Sequence, residues 1–483
     1  MAKISNRNHH LSGDENGGNN MATDSARARV NSLLDENSFV EIGALVNARN
    51  TDFNLANVQT PADGVVTGYG QIDGRLVYVY SQDSSVLGGA VGEMHAKKIV
   101  RIYEMAVKVG APVIGLIDSS GIRLEEATDA LNAFGEIYRA KAKASGVVPQ
   151  ISAVFGNCGG GLAIINGLSD FTFMADKAKI FVNLPNAVDN NKEEVLDTAS
   201  AKFQAESGNV DFVGSEEEVI GALRQFVSLL PSNNEAYDAE VDNDDDDLNR
   251  NLEGFEVLNK NALFAISKLA DFEDMSNVFE IKKDFGKDIV AALVRISGRT
   301  VGVVACNEKK LSADGADKAA RLIRFCDAFE LPVITLADTN GFATTKDDEI
   351  RLPKALSELT YEYANATVPK ITVICGEAVS SAYNVFNSKG LGADVVYAWQ
   401  DSKIGIMNSK DAAYILKKDD SQSLEELENE YETLQGSVMS AAKRGYVDTI
   451  ISLCDTRKYL IGALDMLYTK SEDVLYKKHG SVK

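Results

Sequence analysis

Histidine and cysteine are scarce in this chain of 483 residues, and the scarcity limits the chemistry it can carry. Only four histidines occur, so a catalytic centre built on histidine as general acid or base is not indicated. The five cysteines are widely spaced and form no C-x-x-C pair, which argues against a zinc ribbon and a disulfide framework. We therefore expect a cytoplasmic protein with buried, structural cysteines and no metal site. These residues are His9, His10, His95, His479, Cys158, Cys306, Cys326, Cys375 and Cys454.

Long apolar runs, a secretion signal and two common catalytic motifs are also missing. No stretch of about 18 apolar residues occurs, so no transmembrane helix is predicted. The polar start of the chain lacks the apolar core of a signal peptide, and we expect a flexible tail over 1–22. Neither G-x-x-x-x-G-K-[ST] nor G-x-S-x-G is present, so neither a P-loop nor a serine hydrolase triad is indicated.

Positive charge is outweighed by negative charge, with 49 Lys and Arg against 71 Asp and Glu and a net charge of −22. Such a surface disfavours nucleic acid and anionic membranes as partners. A small anionic ligand needs only a local group of cations, and Lys97, Lys98 and Arg101 are a candidate. The acidic stretch 234–252 predicts an exposed linker between two domains, at 23–233 and 253–483.

What the sequence does contain is an internal repeat. "VGAPVIGLIDSSGI" at 109–122 and "FELPVITLADTNGF" at 329–342 share a proline, an aspartate and a glycine at a numbering offset of 220. "SGVVPQISAVFGNCGGG" at 145–161 and "NATVPKITVICGEAVSS" at 365–381 repeat that offset. A third pair, "IDGRLVYVYS" at 72–81 and "ISGRTVGVVA" at 296–305, is offset by 224. Chance is a poor explanation for so many ordered matches, so we infer a duplication.

The sequence pattern predicts the same order of strands and helices in each half. In the first half these are a strand at 75–81, an amphipathic helix around 99–107, and an apolar strand at 111–118. A long helix at 124–145 and a second strand at 149–155 follow, and a glycine turn then opens another helix. Fully apolar strands alternating with helices are typical of stacked βαβ units around a parallel sheet. The fold class is therefore α/β with two duplicated domains.

Two turns per half are expected at the carboxyl ends of neighbouring strands, where such sheets bind ligands. In the first half they are Ser120–Gly121 and Gly159–Gly160–Gly161. A turn that opens a helix leaves main-chain N–H groups without an intrahelical acceptor, and the helix dipole adds positive charge there. Two such turns can direct two N–H donors at one oxygen, which describes an oxyanion hole. Tight packing of helix on sheet explains a glycine run equally well, so the turns by themselves leave both interpretations open.

The chain resembles the carboxyltransferase subunit of biotin-dependent acyl-CoA carboxylases and decarboxylases over about residues 27–416. The resemblance rests on "PADGVVTGYGQIDGRLVYVYSQD", "LGGAVGEMHAKKI", "GAPVIGLIDSSGIRLEE", "SGVVPQISAVFGNCGGG" and "RLIRFCDAFELPVITLAD", in that order. It implies two crotonase-like (ββα superhelix) domains, the first for acyl-CoA and the second for biotin on a carrier protein. It further implies a homo-oligomer, dimer or hexamer, with active sites between domains of different subunits.

The resemblance implies paired oxyanion holes, one for the acyl-CoA enolate and one for the ureido oxygen of biotin. The acyl-CoA hole maps to Gly121–Ile122 and Gly160–Gly161, and the biotin hole to Gly341–Phe342 and Ser380–Ser381. Further expected contacts of coenzyme A and the acyl group are Gly88, Gly89, Lys97, Lys98, Arg101 and Asn384.

Three departures from the family pattern all lie in the biotin half. Ser380–Ser381 stands where the family usually has two glycines, and a serine adopts positive φ only at a cost of roughly 1 kcal/mol or more. Asn340–Gly341 replaces Pro–Gly, and the segment "ACNEKKLSADGADK" at 305–318 is shorter than usual.

The expected activity is transfer of a carboxyl group between biotin and a malonyl-CoA or methylmalonyl-CoA type substrate. The acidic, shortened chain favours a decarboxylase subunit over a propionyl- or acetyl-CoA carboxylase subunit. Because no ATP-binding region and no A-M-K-M motif occurs, the biotin carboxyl carrier protein and a biotin carboxylase or membrane decarboxylase subunit are expected as partners. Two alternatives stay open, a crotonase-like hydratase or isomerase using Glu125 or Glu126, and a scaffold whose biotin half has degenerated.

Overall fold

The computed structural model describes residues 25–50, 55, 58–236, 246–253, 255–258, 261–417, 422–473, 475, 477 and 480. The expected tail over 1–22, His479 and residues 237–245 of the expected linker lie outside the described residues. The helices are α1 Ser25–Leu33, α2 Glu93–Val109, α3 Ala127–Ala144, α4 Gly161–Gly167, α5 Ala201–Glu206, α6 Glu216–Leu229, α7 Ala262–Leu269, α8 Ala313–Ala328, α9 Lys346–Asn365, α10 Ser380–Val385, α11 Ser409–Leu416, α12 Leu424–Tyr431, α13 Val438–Lys443 and α14 Thr456–Met466.

Each half is built on an eight-stranded sheet. The strands are β1 Val40–Glu41, β2 Val65–Ile72, β3 Arg75–Gln82, β4 Val113–Ser119, β5 Gln150–Gly159, β6 Phe171–Ala175, β7 Lys179–Phe181, β8 Phe212–Gly214, β9 Val278–Ile281, β10 Ile289–Ile296, β11 Arg299–Cys306, β12 Lys310–Leu311, β13 Val333–Thr339, β14 Gly341–Phe342, β15 Lys370–Val379, β16 Val395–Trp399, β17 Lys403–Gly405 and β18 Thr449–Ile451. The first sheet has the order β1-β2-β3-β4-β5-β6-β8, and the second β9-β10-β11-β13-β15-β16-β18. In addition, β7 pairs with β5, β17 with β15, and β12 with β14.

Strand register confirms the internal repeat. In the first sheet Ile117 pairs with Val154 and Ser119 with Cys158, with a register shift between the two pairs. The second sheet pairs Ala337 with Ile374 and Thr339 with Ala378, and it shifts at the same point. All four positions keep the offset of 220, and the β2–β3 and β10–β11 hairpins keep the offset of 224. The α/β fold class with duplicated parallel sheets is therefore confirmed.

The predicted elements of the first half are present with small differences in their ends. Helix α2 covers the predicted amphipathic segment, buries Ile99, Ile102 and Ala106, and ends at Gly110, whose φ of 74° is a conformation that glycine adopts readily. Strand β5 continues beyond the predicted 149–155, and Gly159 is still part of it. The turn proper is therefore Gly160–Gly161, with Gly160 at the N-cap of α4.

An aromatic cluster joins the two halves. The ring of Phe171 on β6 lies 4.5 Å from that of Phe226 on α6 and 4.7 Å from that of Phe325 on α8. Phe279 on β9 lies 4.8 Å from Phe226. All distances are between ring centroids, and tilted or edge contacts of this kind stabilise aromatic clusters beyond the burial of their area. One hydrophobic core therefore runs through both halves.

The second end of the expected linker is anchored to the second half by two buried residues. Asp246 is buried and forms an ion pair with Arg457, whose side chain is fully buried. Leu252 is also buried and belongs to the core of the second half. The expectation of an exposed segment is therefore wrong at Asp246, because a buried arginine needs a charged partner, and at Leu252. Between these two residues the segment is largely exposed, as expected. Among the described helices, none combines the length and apolarity needed to cross a bilayer.

Candidate active site

The first turn leaves one main-chain donor free. The turn follows β4. The Ser120 N–H donates to the Gly88 carbonyl (2.9 Å) and the Gly121 N–H to Ser119 Oγ (3.2 Å). The Arg123 N–H donates to the Val91 carbonyl (3.0 Å). Among the residues that the structure describes, the Ile122 N–H has no acceptor. The Ile122 side chain is 45% exposed, so this N–H lies in a surface turn.

The glycine turn provides a second free donor beside it. The Gly160 N–H donates to the Phe181 carbonyl at 2.8 Å, whereas the Gly161 N–H begins α4 and has no acceptor within the described parts of the chain. Gly160 has φ 58° and ψ −120°, a conformation that only glycine adopts without strain. The two turns are adjacent, since a Cβ placed on Gly121 would lie 3.9 Å from the Gly159 carbonyl oxygen. Two free N–H donors at adjacent strand ends can stabilise negative charge on one oxygen.

An aspartate, half-buried at Asp118 and buried at Asp338, lies under each pair of turns and explains a repeated glycine. A Cβ on Gly156 would meet Asp118 Oδ1 at 1.9 Å, and one on Gly376 would meet Asp338 Oδ1 at 2.7 Å. Asp338 also accepts the Glu377 N–H at 2.8 Å. Both glycines are therefore required because a carboxylate occupies the place of their side chain.

The second half builds the same helix-opening turn from serine. Ser380 has φ 67°, in the left-handed region, so the strain expected for a serine at this position is present. Its Oγ accepts the Ala382 N–H at 3.2 Å, which satisfies one of the free donors of α10. The N–H groups of Ser380 and Ser381 have no acceptor among the described residues. Phe342 pairs with Leu311 in the β12–β14 ladder, as Ile122 bridges to Val91.

Charged side chains hold the second pair of turns, as Arg29 pairs with Asp118 at 3.1 Å under the first. Lys309 forms ion pairs with Asp338 and with Glu377, whose Oε2 lies 3.3 Å from the lysine Nζ. Asn340 Nδ2 donates to Glu377 Oε2 at 3.1 Å. Burial alone would lower the pKa of Lys309, but its hydrogen bonds and ion pairs with these carboxylates raise that pKa above its ordinary value. The lysine is therefore a fixed positive charge at the turn that precedes Gly341.

A cavity of about 810 Å³ opens beside Ser380 and Ser381. Asn384, predicted as a contact of the acyl group, lies on the wall of this cavity, one helical turn from Ser380. The opposite wall mixes apolar and polar groups, and its residues are Ile404, Ile406, Tyr431, Gln435, Arg444 and Tyr446.

Gly88 and Gly89 lie against the first turn. A Cβ on Gly88 would meet Ser120 Oγ at 2.8 Å, and a Cβ on Gly89 would meet the Asp118 carbonyl oxygen at 2.4 Å. Both have φ 65°, so this loop depends on glycine for its conformation as well as its space. The structure therefore brings these two predicted residues to the edge of the first site.

The predicted cation cluster is divided between two faces of α2. Lys97 and Arg101 are exposed, and Lys97 pairs with Glu93 at 2.6 Å. Lys98 is buried, and its Nζ donates to the carbonyls of Ala62, at 2.8 Å, and Val65. Burial lowers the pKa of Lys98 to about 8. Lys98 therefore does not share a surface with Lys97 and Arg101, and the predicted group of three cations is wrong at Lys98, because successive helix positions point about 100° apart.

Histidine and cysteine are structural within the described residues. Burial lowers the pKa of His95 to about 3, so the ring is neutral, and it contacts Gln82 and the Asp63 carbonyl. Burial raises the pKa of both Cys158 and Cys306 to about 12, so neither thiol is activated. Cys326 and Cys375 are also buried, and Cys454 is exposed.

Several residues near the two turns were not identified from the sequence. Arg123 is fully buried between Asp63 and Glu126, directly after the first turn. Lys309 and Glu377 hold the second turn, and their partner Asp338 was recognised only as a repeated position. A charged residue at the end of an otherwise apolar strand indicates a buried ion pair, but the sequence does not indicate which residue is its partner.

A family model for the carboxyl transferase domain matches residues 19–482. The propionyl-CoA carboxylase beta chain of Roseobacter denitrificans is 39% identical over 477 residues, which covers 95% of this chain and 93% of that protein. The methylmalonyl-CoA decarboxylase subunit alpha of Propionigenium modestum is 38% identical over 483 residues, covering 95% and 92%.

Among solved structures, the transcarboxylase 12S hexamer superimposes with a TM-score of 0.88 at 34% identity, covering 95% of this chain and 92% of that chain. That structure holds methylmalonyl-coenzyme A and methylmalonic acid. The similarity therefore extends over both sheets and all four turns.

Proposed function

Because the chain belongs to the carboxyl transferase domain family, we propose that it moves a carboxyl group between an acyl-CoA and biotin held on a carrier protein. The proposed acyl-CoA is of the malonyl or methylmalonyl type. The observation that carries the proposal is the pair of equivalent turns, each with free N–H donors beside a helix start. One main-chain site per half suits a reaction with two substrates, each of which carries a carbonyl oxygen.

The first half stabilises the charge that develops on the acyl thioester. When the bond between Cα and the carboxylate breaks, its electron pair moves into the thioester carbonyl and gives an enolate oxygen. The N–H groups of Ile122 and Gly161 bind that oxygen, together with the positive end of the α4 dipole. A preorganised donor pair of this kind removes the cost of reorientation during the reaction, and one donor is worth about 10²–10³ in rate.

The second half offers a biotin ring apolar walls and main-chain donors. Bound biotin supplies the nitrogen that accepts or gives up the carboxyl group. The cavity beside Ser381 has apolar walls at Ile404 and Ile406, and free N–H groups at its end suit a ureido oxygen. Gly341–Phe342 complete the proposed contacts of biotin, and Lys309 adds positive charge at the turn. Asn384, on the wall of the same cavity, is the proposed contact of the acyl group.

The direction of the reaction is proposed as decarboxylation, in a complex with a membrane decarboxylase subunit. The carboxylase alternative needs a biotin carboxylase partner instead. Relatives named for each activity match at nearly equal identity, 39% and 38%, so they favour neither. Recovery of the biotinylated carrier and its bound subunits from the native host, by avidin capture, distinguishes the two. A co-purifying biotin carboxylase would refute the decarboxylase assignment.

Exposed apolar side chains around the turns support a homo-oligomer. Leu124, just after the first turn, is 82% exposed, and Ile406, in the wall of the cavity at the second turn, is 74% exposed. Leu131 on α3 and Tyr414 on α11 are 63% and 76% exposed. Groups of exposed apolar residues of this kind mark contact surfaces. We propose that the two surfaces meet in neighbouring copies, in a dimer or hexamer located in the cytoplasm.

The activity is tested with the purified chain, methylmalonyl-CoA or malonyl-CoA, and free biotin. We expect biotin-dependent loss of the carboxyl group of the thioester, which passes to the biotin nitrogen as carboxybiotin and is released from it as CO2. A chain that forms neither carboxybiotin nor CO2 with either thioester, at any biotin concentration, would refute the proposed function.

Two alternative functions have separate readouts. A hydratase would act on crotonyl-CoA without biotin, but Glu126 is buried in an ion pair with Arg123, which leaves only Glu125 as a free acid in this turn. A scaffold with a degenerate biotin site would be inactive and would gain activity when Ser380 and Ser381 are both replaced by glycine. An active wild-type chain refutes the scaffold.

A further inference from the structure

The turn that carries the free Ile122 N–H is tied to two other loops by one arginine. Arg123 Nη1 donates to Asp63 Oδ1 at 2.6 Å and to Glu126 Oε1 at 2.8 Å, and Nη2 donates to the Ala90 carbonyl at 2.7 Å. The side chains of Arg123, Asp63 and Glu126 are all fully inaccessible to solvent. A charge this deeply buried is retained at a large desolvation cost unless every partner is in place.

The loop that carries Asp63 is itself held in an uncommon conformation. Ala62 and Asp63 have φ values of 54° and 51°, in the left-handed region that non-glycine residues avoid. Asp63 Oδ2 accepts the His95 N–H at 2.7 Å, and Lys98 Nζ donates to the Ala62 carbonyl at 2.8 Å. Strained backbone of this kind persists only where the surrounding contacts determine it fully, and it occurs often at functional sites.

The second half shows that the fold does not require this network. Ala343 is the counterpart of Arg123 at the offset of 220, and its N–H donates to the Leu311 carbonyl as the Arg123 N–H donates to that of Val91. The bridge that shapes the turn is therefore present in both halves, whereas the buried arginine is present in one. The additional network belongs to the half that we assign to the acyl-CoA.

We propose that Arg123, Asp63 and Glu126 are positioning residues, which hold the Ile122 N–H at the place where the thioester oxygen becomes negative. This inference rests on the proposed function. None of the three touches the reacting atoms, and each acts through the main chain of the turn. Misplacement of a catalytic group by about 1 Å lowers a rate by as much as about 100-fold. The network therefore serves the reaction rate more than the affinity for coenzyme A.

Two variants disturb the network in different ways. Asp63→Asn replaces one acceptor by a donor and weakens the pair with Arg123. Gly92→Ala leaves every partner in place but adds a Cβ that would lie 2.3 Å from Glu126 Oε1 and 2.5 Å from Arg123 Nη1, at a residue whose φ of −107° suits alanine. The second variant decides the question if Asp63→Asn yields no folded protein.

Each variant has a matched control in the same chain. Asp271 resembles Asp63, because it is buried, pairs with Arg457 at 3.1 Å and accepts the main-chain N–H groups of Ser297 and Gly298. It lies at the β10–β11 hairpin, at the sheet end opposite the turns. Gly221 in α6 has no heavy atom within 4 Å of an added Cβ, so Gly221→Ala controls for Gly92→Ala.

The assay is CO2 release from methylmalonyl-CoA with free biotin, with kcat and KM measured for each substrate. We expect Asp63→Asn and Gly92→Ala to lower kcat about 10- to 100-fold, with both KM values within about twofold of wild type. Asp271→Asn and Gly221→Ala should keep kcat within about threefold at an equal margin below their melting temperatures. The positioning role is refuted if kcat falls no further in the network variants than in their controls. It is also refuted if the network variants raise KM and leave kcat unchanged. An inactive wild-type chain overturns the proposed function, and this inference with it.

Discussion

Replacement of Ser380 separates the strain of the second turn from its hydrogen bonding. Its φ of 67° costs an L-residue roughly 1–2 kcal/mol, and its Oγ at 3.2 Å from the Ala382 nitrogen returns about 1 kcal/mol as a helix cap. Ser380→Ala keeps the strain and loses the cap, so we expect it to destabilise the fold by about 1 kcal/mol. Ser380→Gly removes the strain and loses a few tenths of a kcal/mol of helix capping. Glycine also gives the unfolded chain more conformational freedom, which lowers the stability by about 0.4–1 kcal/mol. The free energy of unfolding of Ser380→Gly should therefore equal that of wild type or exceed it by up to about 1 kcal/mol.

The measurement is the midpoint of urea unfolding at one fixed protein concentration, since association of copies would otherwise shift it. Ser215 provides the control, because it caps α6 through Glu218 at an ordinary φ of −62°. Ser215→Gly has no strain to relieve and should lower the midpoint, whereas Ser380→Gly should not. The turnover rate of Ser380→Gly should stay within about threefold of wild type, because the N–H donors of the turn remain.

Two results would refute this reasoning. A fall in the midpoint for Ser380→Gly equal to that for Ser215→Gly would mean that the left-handed conformation carries no cost here. If a stable Ser380→Gly variant turned over about 100-fold more slowly than wild type, the hydroxyl would contribute directly, which contradicts a site built from main-chain donors.

Three further outcomes follow from contacts described above. Gly160→Ala should lower kcat by at least about 100-fold, because alanine cannot adopt the φ of 58° and ψ of −120° of this residue without strain. Gly146→Ala, at a φ of 71° with open space around it, should lower stability and leave kcat unchanged. Measurements of kcat and of unfolding on both variants compare the two. Gly156→Ala should destabilise more than Gly376→Ala, since an added Cβ meets a carboxylate oxygen at 1.9 Å in the first case and 2.7 Å in the second, and equal urea midpoints would contradict this. Lys98 has a pKa of about 8 against an ordinary 10.5, so between these pH values it binds fewer protons in the folded than in the unfolded chain. The free energy of unfolding should therefore rise between about pH 8 and pH 10.5 by more in wild type than in Lys98→Met. Identical pH profiles of the two proteins would refute the shift.

The order of elements and the pairing of the two halves could be predicted because both depend on local patterns. The offset of 220 aligns Gly121 with Gly341 and Gly160 with Ser380, and each pair occupies equivalent turns. A buried parallel strand is mostly apolar, so β4 and β13 are visible in the sequence as predominantly apolar runs after a proline.

Contacts between distant segments could not be predicted in the same way. The sequence groups Lys98 with Lys97 in one cluster of cations, because the acceptors of Lys98 at Ala62 and Val65 belong to a separate, earlier segment of the chain. The fully buried Arg123 escapes prediction for the same reason, since nothing near it in the chain identifies Asp63 as its partner. Burial of a charge is decided by groups that only the tertiary structure assembles.

The aromatic cluster between the halves has a consequence for biosynthesis. When Phe171 and Phe226 leave the ribosome, their partners Phe279 and Phe325 have not yet been translated. The nascent first half therefore keeps apolar rings exposed until about a hundred more residues have been added. Its folding is completed by the second half, so a chain truncated between the two should aggregate unless chaperones hold it or the missing half is supplied as a separate polypeptide.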